Sequence, residues 1–161
     1  MSSQILTSQV SEPALSAWLG LLRGQAGLAR ELSASLQAEH GLTINDYEAL
    51  LLLSRAPQQS MRRIDLAGQL VLTASGVTRL LNGLEAAGWV SKAVCASDAR
   101  VTYAVLTASG RDKLAAASCS HVAAIRALFE ERYSAGELST LAELLSRLPG
   151  AELACTTGPG T

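Results

Sequence analysis

The stretch TASGVTRLLNGLEAAG, residues 73–88, decides the fold of this chain. Four of its apolar residues recur at helical spacing and would line one side of a helix: Val77, Leu80, Leu81 and Leu84. Thr73 is a favourable N-cap, and Gly88 is a favourable glycine just beyond the C-terminus. The opposite face carries small hydrogen-bonding side chains and one positive charge: Ser75, Thr78, Arg79 and Asn82. Such a face suits the floor of a DNA major groove, although a solvated helix face would look the same in isolation.

The flanking segments favour the DNA-reading interpretation. Residues 62–72 repeat a helical pattern, and only a tight connection around Leu72 separates this helix from the next. The apolar positions of the pattern are Ile64, Leu66, Ala67 and Leu70. This order predicts a helix-turn-helix, in which the second helix enters the groove while the first crosses the DNA backbone. Downstream, residues 89–96 and 101–106 are two strand-like runs joined by the turn residues 97–100, which predicts a wing.

Several short motifs of this region resemble those of a known family. They are Asp65-Leu66-Ala67, Val77-Thr78-Arg79-Leu80, Gly88-Trp89-Val90, and Asp98-Ala99-Arg100 followed after five residues by Leu106-Thr107. Together they resemble the MarR (multiple antibiotic resistance regulator) family of dimeric winged helix-turn-helix transcription regulators, over residues 13–148. Two positions depart from the family pattern, since Gly76 and Arg62 stand where Ser or Thr is usual.

The sequence predicts a mainly α (α+β) fold with one winged helix-turn-helix. Capping boxes are expected at Thr43–Asp46 and Ser134–Glu137, and Pro13 suits the first turn of a long helix. The long flanking helices carry narrow apolar stripes, which usually pack against a partner helix, here one from a second subunit. The predicted boundaries are a flexible N-terminus at 1–12, a single domain at 13–148 and a flexible tail at 149–161. Within the domain, the winged helix-turn-helix spans about 43–107, and the dimerisation helices span 13–40 and 108–148.

Composition limits the class of protein. With 161 residues, of which 48% are hydrophobic, the chain can bury a core as one globular domain. The longest unbroken apolar run, 49–53, is far shorter than the ~20 residues that span a bilayer, and no leader is evident. The three cysteines, Cys95, Cys119 and Cys155, lie at scattered positions and form no disulfide framework. We therefore expect a cytoplasmic protein with no membrane partner.

The charged residues are segregated along the chain, although the net charge is only −1. Residues 55–113 contain eight Lys and Arg against four Asp and Glu, a balance of +4. The rest of the chain contains five basic and ten acidic residues, a balance of −5. A positive segment around the helix-turn-helix is the local electrostatic feature that phosphate binding requires.

The predicted DNA contacts lie in both helices and in the wing. They are Arg62, Arg63, Thr73, Ser75, Gly76, Thr78, Arg79, Asn82, Lys92, Asp98 and Arg100. Arg79 is expected to contribute to base readout, while Arg62 and Arg63 clamp phosphates. The family resemblance sends Arg100 into the minor groove, with Asp98 holding its guanidinium in position. Alternatively, Arg100 pairs with Asp98 only to shape the turn.

The favoured function is a homodimeric, sequence-specific regulator of transcription, a repressor that binds a pseudo-palindromic operator in double-stranded DNA. The alternative is a winged-helix module for protein interaction or assembly that does not read DNA. The family resemblance implies release by a small aromatic or anionic effector, bound in a pocket between the dimer helices and the winged helix-turn-helix. The candidate contacts nearby are Trp18, Arg23, His40 and Tyr47. Trp18 and Tyr47 are equally well explained as core residues.

No cofactor, metal site or enzyme active site is predicted. Cys119 and His121 lie two residues apart on a predicted helix, so they point about 200° apart and do not share a metal easily. No Walker, dinucleotide-binding or nucleophile-elbow pattern is present in the sequence. None of the cysteines matches the N-terminal cysteine of the peroxide-sensing branch of the family, so peroxide is not expected to control DNA binding.

Overall fold

A computed structural model of the chain describes residues 12–70, 72–95, 98 and 100–151. Its helices and strands are α1 Glu12–His40, α2 Ile44–Arg55, β1 Ser60–Arg62, α3 Arg63–Gln69, α4 Ala74–Ala86, β2 Val90–Val94, β3 Thr102–Leu106, α5 Ala108–Glu130 and α6 Ala135–Leu145. These elements confirm the predicted mainly α fold with a winged helix-turn-helix formed by α3, α4 and the β2–β3 hairpin. Of the ends predicted to be flexible, residues 1–11 and 152–161 lie outside the described residues, as do two residues of the wing turn, Ser97 and Ala99.

Hydrogen bonds from backbone N–H groups to capping side chains explain where three of the helices begin. Thr43 Oγ1 accepts from the Asp46 N–H at 3.2 Å, and Asp46 Oδ2 accepts from the Thr43 N–H at 2.8 Å. Ser134 and Glu137 form the same box before α6, and hydrogen bonds from the Ser134 backbone and hydroxyl lower the pKa of the Glu137 carboxyl. Thr73 caps α4, because its Oγ1 accepts from the N–H three residues later at 3.1 Å. The three predicted caps are confirmed.

The wing hairpin joins a third strand in one antiparallel sheet. β3 is central and pairs with β1 on one side and β2 on the other. Ala104 of β3 lies opposite Met61 of β1 and Lys92 of β2, and its side chain is fully buried. β1 ends at Arg62, immediately before α3, so this pairing attaches the start of the helix-turn-helix to the wing. The sequence did not predict β1, because three residues are too few to show a period of two.

The main core lies between α2, the helix-turn-helix and the sheet. It is one continuous cluster that contains Leu50, Leu66, Leu81 and Leu106, among others. The apolar pattern predicted for α3 is right at Leu66 but wrong at Ile64, which is 73% exposed. The two positions differ by two residues, which turns a helix by about 200°, so both cannot face the core.

The base of the wing packs closely against the first turn of α5. A Cβ added at Gly110 would lie only 2.1 Å from the Trp89 carbonyl oxygen, so this close approach requires glycine. Thr107 Oγ1 donates to the Gly88 carbonyl at 2.7 Å and accepts from the Gly110 N–H at 3.0 Å. Gly88 has a φ of +75°, which glycine adopts without strain, and α4 ends just before it as predicted. The end of α4, the wing and the start of α5 are therefore joined through their backbones.

The chain divides into two compact units, residues 1–121 and 122–161. The first contains α1 to α4, the sheet and the first part of α5, and the second contains the rest of α5 and α6. No helix in the described part of the chain is long and apolar enough to cross a membrane. The single-domain boundaries at 13 and 148 stay a prediction.

Candidate nucleic-acid interface

α4 presents its predicted polar face to solvent. The exposed residues of this face are Ser75, Thr78, Arg79 and Asn82, and the buried residues of the opposite face are Val77, Leu81 and Leu84. Leu80 is half-buried at the edge of the core. The orientation of α4 predicted from the sequence is therefore confirmed. We term the four exposed residues the reading face.

Hydrogen bonds within α4 engage only part of this surface. Thr73 Oγ1 lies 3.2 Å from Ser75 Oγ, in addition to its capping role. Thr78 Oγ1 donates to a backbone carbonyl one turn earlier at 2.8 Å. Among the described residues, the Arg79 guanidinium and the Asn82 amide take part in no hydrogen bond or ion pair. Arg79 and Asn82 therefore have free groups of the kind that pair with guanine and adenine edges in the major groove.

Gly76 lies in the first turn of α4, directly beside the cap. Its N–H donates to Thr73 Oγ1 at 3.1 Å, and a Cβ at this position would also lie 3.1 Å from that oxygen. A larger residue would therefore press on the cap. Glycine leaves the Thr73 cap undisturbed at this position, where the family resemblance favours Ser or Thr.

Arg62 forms a bidentate ion pair with Asp65 within the protein. Its Nε and Nη2 donate to the two carboxylate oxygens at 2.7 and 2.9 Å. The hydrogen bond from Arg62 holds the pKa of the Asp65 carboxyl below its usual range. Both side chains are exposed, and exposed ion pairs contribute little to stability, so a DNA phosphate can compete for Arg62.

Arg63 is held in a less accessible contact. Its Nη2 lies 3.9 Å from Oε1 of Glu85, in the last turn of α4, and both side chains are only partly exposed. The two predicted phosphate clamps therefore differ, since Arg62 points to solvent with its partner and Arg63 faces a neighbouring helix.

At the wing turn, Asp98 binds the backbone of Arg100 instead of its guanidinium. Asp98 Oδ1 accepts from the Arg100 N–H at 2.9 Å, and the Asp98 carbonyl accepts from the Val101 N–H at 3.0 Å. The prediction that Asp98 holds the guanidinium is wrong, because an Asp at this position reaches the backbone N–H two residues on in an Asx turn. The exposed Arg100 guanidinium forms no ion pair with another described residue. Lys92 is also exposed, on the edge strand β2.

Polar and aromatic side chains of three helices meet where α1 ends and α2 begins. This set, termed the junction, comprises His40, Tyr47, Ser118, Ser120 and His121. His40 Nε2 lies 2.7 Å from Ser120 Oγ, and the Tyr47 hydroxyl lies 3.3 Å from Ser118 Oγ. The rings of Tyr47 and His121 have centroids 4.4 Å apart. His121 is buried, which lowers its pKa, and its Nδ1 has no hydrogen-bond partner among the described residues.

The four candidate effector contacts do not form one site within a single chain. His40 and Tyr47 belong to the junction, but Trp18 precedes His40 by 22 positions on the same helix, a distance of about 33 Å. Trp18 is 58% exposed, and Arg23 is exposed as well. The continuous helix α1 keeps its two ends apart, so one chain does not bring all four residues together, and the effector site between the dimer helices and the winged helix-turn-helix stays a prediction. Tyr47 is a core residue, as the alternative explanation held, whereas Trp18 is not.

Large apolar side chains are exposed on α1 and on the C-terminal part of the chain. In the N-terminal half of α1 they are Leu15, Trp18, Leu19, Leu21 and Leu22. In the second unit they are Val122, Tyr133, Leu144, Leu145 and Leu148. Large exposed apolar patches mark interaction sites, and these side chains are candidates for such a site on each unit.

The cysteines and histidines of the described residues form no metal centre. Cys119 is exposed and His121 is buried, so the two side chains point apart, as their spacing predicts. No group of three or more His, Cys, Asp or Glu in this part of the chain is placed to hold a metal ion. Cys95 is half-buried after β2, and Cys155 lies outside the described residues.

Sequence reasoning missed Glu85 and His121. An acidic side chain in the last turn of a helix opposes the helix dipole, and this was the one available signal that Glu85 has a basic partner. His121 gave no local signal, because its contact with Tyr47 joins residues far apart in the chain.

Comparison with known proteins identifies the fold family. A protein-family model described as the MarR family matches residues 40–101. The crystal structure of AbsC, a MarR family transcriptional regulator from Streptomyces coelicolor, is 32% identical in sequence, with a TM-score of 0.75. The match covers 86% of this chain and 93% of AbsC. The chain belongs to the MarR family.

Two further MarR family transcriptional regulators from Streptomyces coelicolor are similar. Sco3205, whose crystal structure is a complex with DNA, is 26% identical, with a TM-score of 0.75 over 84% of this chain and 85% of Sco3205. Sco5413 is 27% identical, with a TM-score of 0.73 over 83% of this chain and 91% of Sco5413. No curated protein sequence matched the chain.

Proposed function

We propose that this MarR family protein is a homodimeric, sequence-specific DNA-binding regulator that represses transcription. The observation that carries the proposal is the reading face of α4, where Arg79 and Asn82 are exposed and engage no other described residue. The exposed Arg100 at the wing, which forms no ion pair with another described residue, adds a second positive group. A similar protein, Sco3205, has been crystallised with DNA. The repressor role follows the family resemblance.

The proposed contacts differ in what they recognise. Arg79 and Asn82 read base edges in the major groove, and Arg100 enters the minor groove. Arg62 and Lys92 contact phosphates, where the positive segment attracts the DNA backbone. The remaining proposed residues position these groups or pass close to the DNA: Thr73, Ser75, Gly76, Thr78 and Asp98.

The exposed apolar residues of α1 and of the second unit support the homodimer. A second copy of the chain would bury these surfaces, and two-fold symmetry would present two copies of α4 to DNA. Half-sites about 34 Å apart, one turn of the DNA helix, would then form a pseudo-palindromic operator.

Binding to DNA from upstream of the protein's own gene tests this proposal. Fluorescence anisotropy with that duplex and a scrambled duplex of equal length, at several salt concentrations, should show tighter binding to the first and a steep loss with salt. Sedimentation velocity at micromolar concentration should show a dimer. Equal, weak affinity for both duplexes would instead favour a winged-helix module for protein interaction or assembly, and a stable folded monomer would contradict the dimer.

We place the proposed contacts of the small aromatic or anionic effector at the end of α1 that belongs to the junction. His40 is half-buried there and Tyr47 is buried, and both contact serines of α5, whereas Trp18 and Arg23 lie too far along the helix to join them in one chain. Titrating the protein–DNA complex with benzoate and salicylate tests this part of the proposal. Release of DNA by the parent protein, with less release by His40→Ala, supports an effector site at the junction. No release at millimolar concentrations of either acid contradicts it.

A further inference from the structure

A partly buried ion pair joins the first residue of α3 to the last turn of α4. Arg63 Nη2 lies 3.9 Å from Glu85 Oε1, and the two side chains are 22% and 27% exposed. Both atoms are buried, and neither forms a hydrogen bond with a described residue. The contact is therefore an attraction between two charges and not a hydrogen-bonded bridge.

The surroundings of this pair make each charge dependent on the other. Attraction between opposite charges increases where water is partly excluded, and loss of one partner leaves a partly buried charge uncompensated. Glu85 also lies where the partial negative charge of the helix C-terminus disfavours a carboxylate. The positive charge of Arg63 offsets both effects, so it is already paired with Glu85 within the protein.

The pair joins the two helices of the helix-turn-helix, α3 and α4. α3 has only seven residues and packs on α4 through a core cluster that includes Leu66 and Leu70. A helix of seven residues has only about two turns, so few apolar side chains set its tilt, and a charged contact at its first residue adds to the constraint from the β1–β3 pairing. The Thr73 cap fixes the N-terminal end of α4, and the Arg63–Glu85 pair adds a fixed point at its C-terminal end.

We propose that Arg63 is a positioning residue, which with Glu85 sets the angle between α3 and the reading helix α4 and does not clamp a DNA phosphate. The inference rests on the proposed DNA-binding function. Arg79 and Asn82 lie on the helix that the pair orients, so a change in tilt alters their approach to the bases. Loss of the pair therefore lowers specificity without removing a phosphate contact.

Three variants test this role in the full-length protein: Arg63→Met, Glu85→Gln and the double variant. Met keeps much of the side-chain length of Arg63 without its charge, and Gln keeps the shape of Glu85. Anisotropy measures the affinity for the upstream and the scrambled duplex across a salt series, and circular dichroism confirms folding. We expect both single variants to lower the ratio of specific to scrambled affinity by about tenfold, which corresponds to a misplaced base contact. The dependence of log affinity on log salt concentration should match that of the parent. The double variant should have a ratio of specific to scrambled affinity at least as high as that of the less specific single variant.

A phosphate clamp gives a different result. Arg63→Met would then weaken both duplexes equally and lower the salt slope by about one, and Glu85→Gln, which removes a negative charge, would bind DNA at least as tightly as the parent. That result overturns the positioning role while leaving the proposed function intact. If Arg63→Met fails to fold, Glu85→Gln alone decides between the two roles. A parent protein that does not distinguish the duplexes contradicts the proposed function itself, and the positioning role with it.

Discussion

The reading face of α4 and the junction of α1, α2 and α5 use polar side chains in opposite ways. At the junction, His40 and Tyr47 contact serine hydroxyls, and Tyr47 also packs against His121. On the reading face, Arg79 and Asn82 are exposed and engage no other described residue. Polar residues that satisfy one another hold helices together, whereas polar residues left in water are available to a ligand. Substitutions at the junction should therefore lower stability, and those on the reading face should lower DNA binding.

The largest effect on stability is expected for Tyr47→Ala. Tyr47 is 8% exposed and belongs to the main core, and truncation of a buried aromatic side chain costs about 3–5 kcal/mol. The matched variant Tyr47→Phe keeps the ring and loses only the contact with Ser118, at a cost of about 1 kcal/mol. Urea denaturation measures both. Equal losses for the two variants would mean that the hydroxyl, and not the buried ring, stabilises the junction.

Thr73→Ala should have an intermediate effect on stability. It tests whether a residue beside the reading face can stabilise the fold as junction residues do. Thr73 is exposed beside the reading face, yet its hydroxyl caps α4. Loss of the cap should lower the free energy of unfolding by about 1 kcal/mol, whereas Thr73→Ser should keep it. If thermal denaturation shows no difference between these variants, the capping hydrogen bond contributes nothing and Thr73 belongs with the reading face.

The smallest effect expected is a dependence of stability on pH that originates at His121. Burial lowers the pKa of His121 in the folded protein, while an unfolded His titrates near pH ~6.5. Below that pH the unfolded state binds a proton that the folded state does not, so the free energy of unfolding falls as the pH falls. We expect urea denaturation at pH 7.5 and 5.5 to show a larger loss for the parent than for His121→Phe. Identical losses would show that His121 gains a proton as easily when folded as when unfolded.

Features that depend on interactions between residues close in sequence were predicted correctly more often than features that depend on distant partners. The boundaries of α4 and the faces it presents depend on residues within a few positions of one another, such as the Thr73 cap and Gly88, and they were correct. Local patterns failed at Ile64, where two apolar residues compete for one side of α3, and at Asp98, where the nearest donor is a backbone N–H. Short segments with distant partners, such as β1, carried too little periodicity to be recognised.

The functional residues show the same limit. The exposed position of Arg79 could be predicted from the pattern of one helix. The partners of Arg63, His40 and Tyr47 could not, because each lies on another helix. The four candidate effector residues were grouped by chemical type, although the predicted helix 13–40, which the structure has as α1, already places Trp18 far from His40.

The most direct test of the central claim compares Arg79→Ala and Arg100→Ala with Arg126→Ala, a control at an exposed arginine of α5. Each variant is titrated against the upstream and scrambled duplexes over a salt series, after its folding and dimer formation have been checked. Arg79→Ala should lower the ratio of specific to scrambled affinity by about tenfold, because a guanine contact is worth roughly 1–3 kcal/mol of discrimination. Arg100→Ala should weaken binding to the upstream duplex, and Arg126→Ala should bind as the parent does. Folded, dimeric Arg79→Ala and Arg100→Ala proteins that bind the upstream duplex as tightly as the parent would contradict the claim that the exposed arginines of α4 and the wing read DNA.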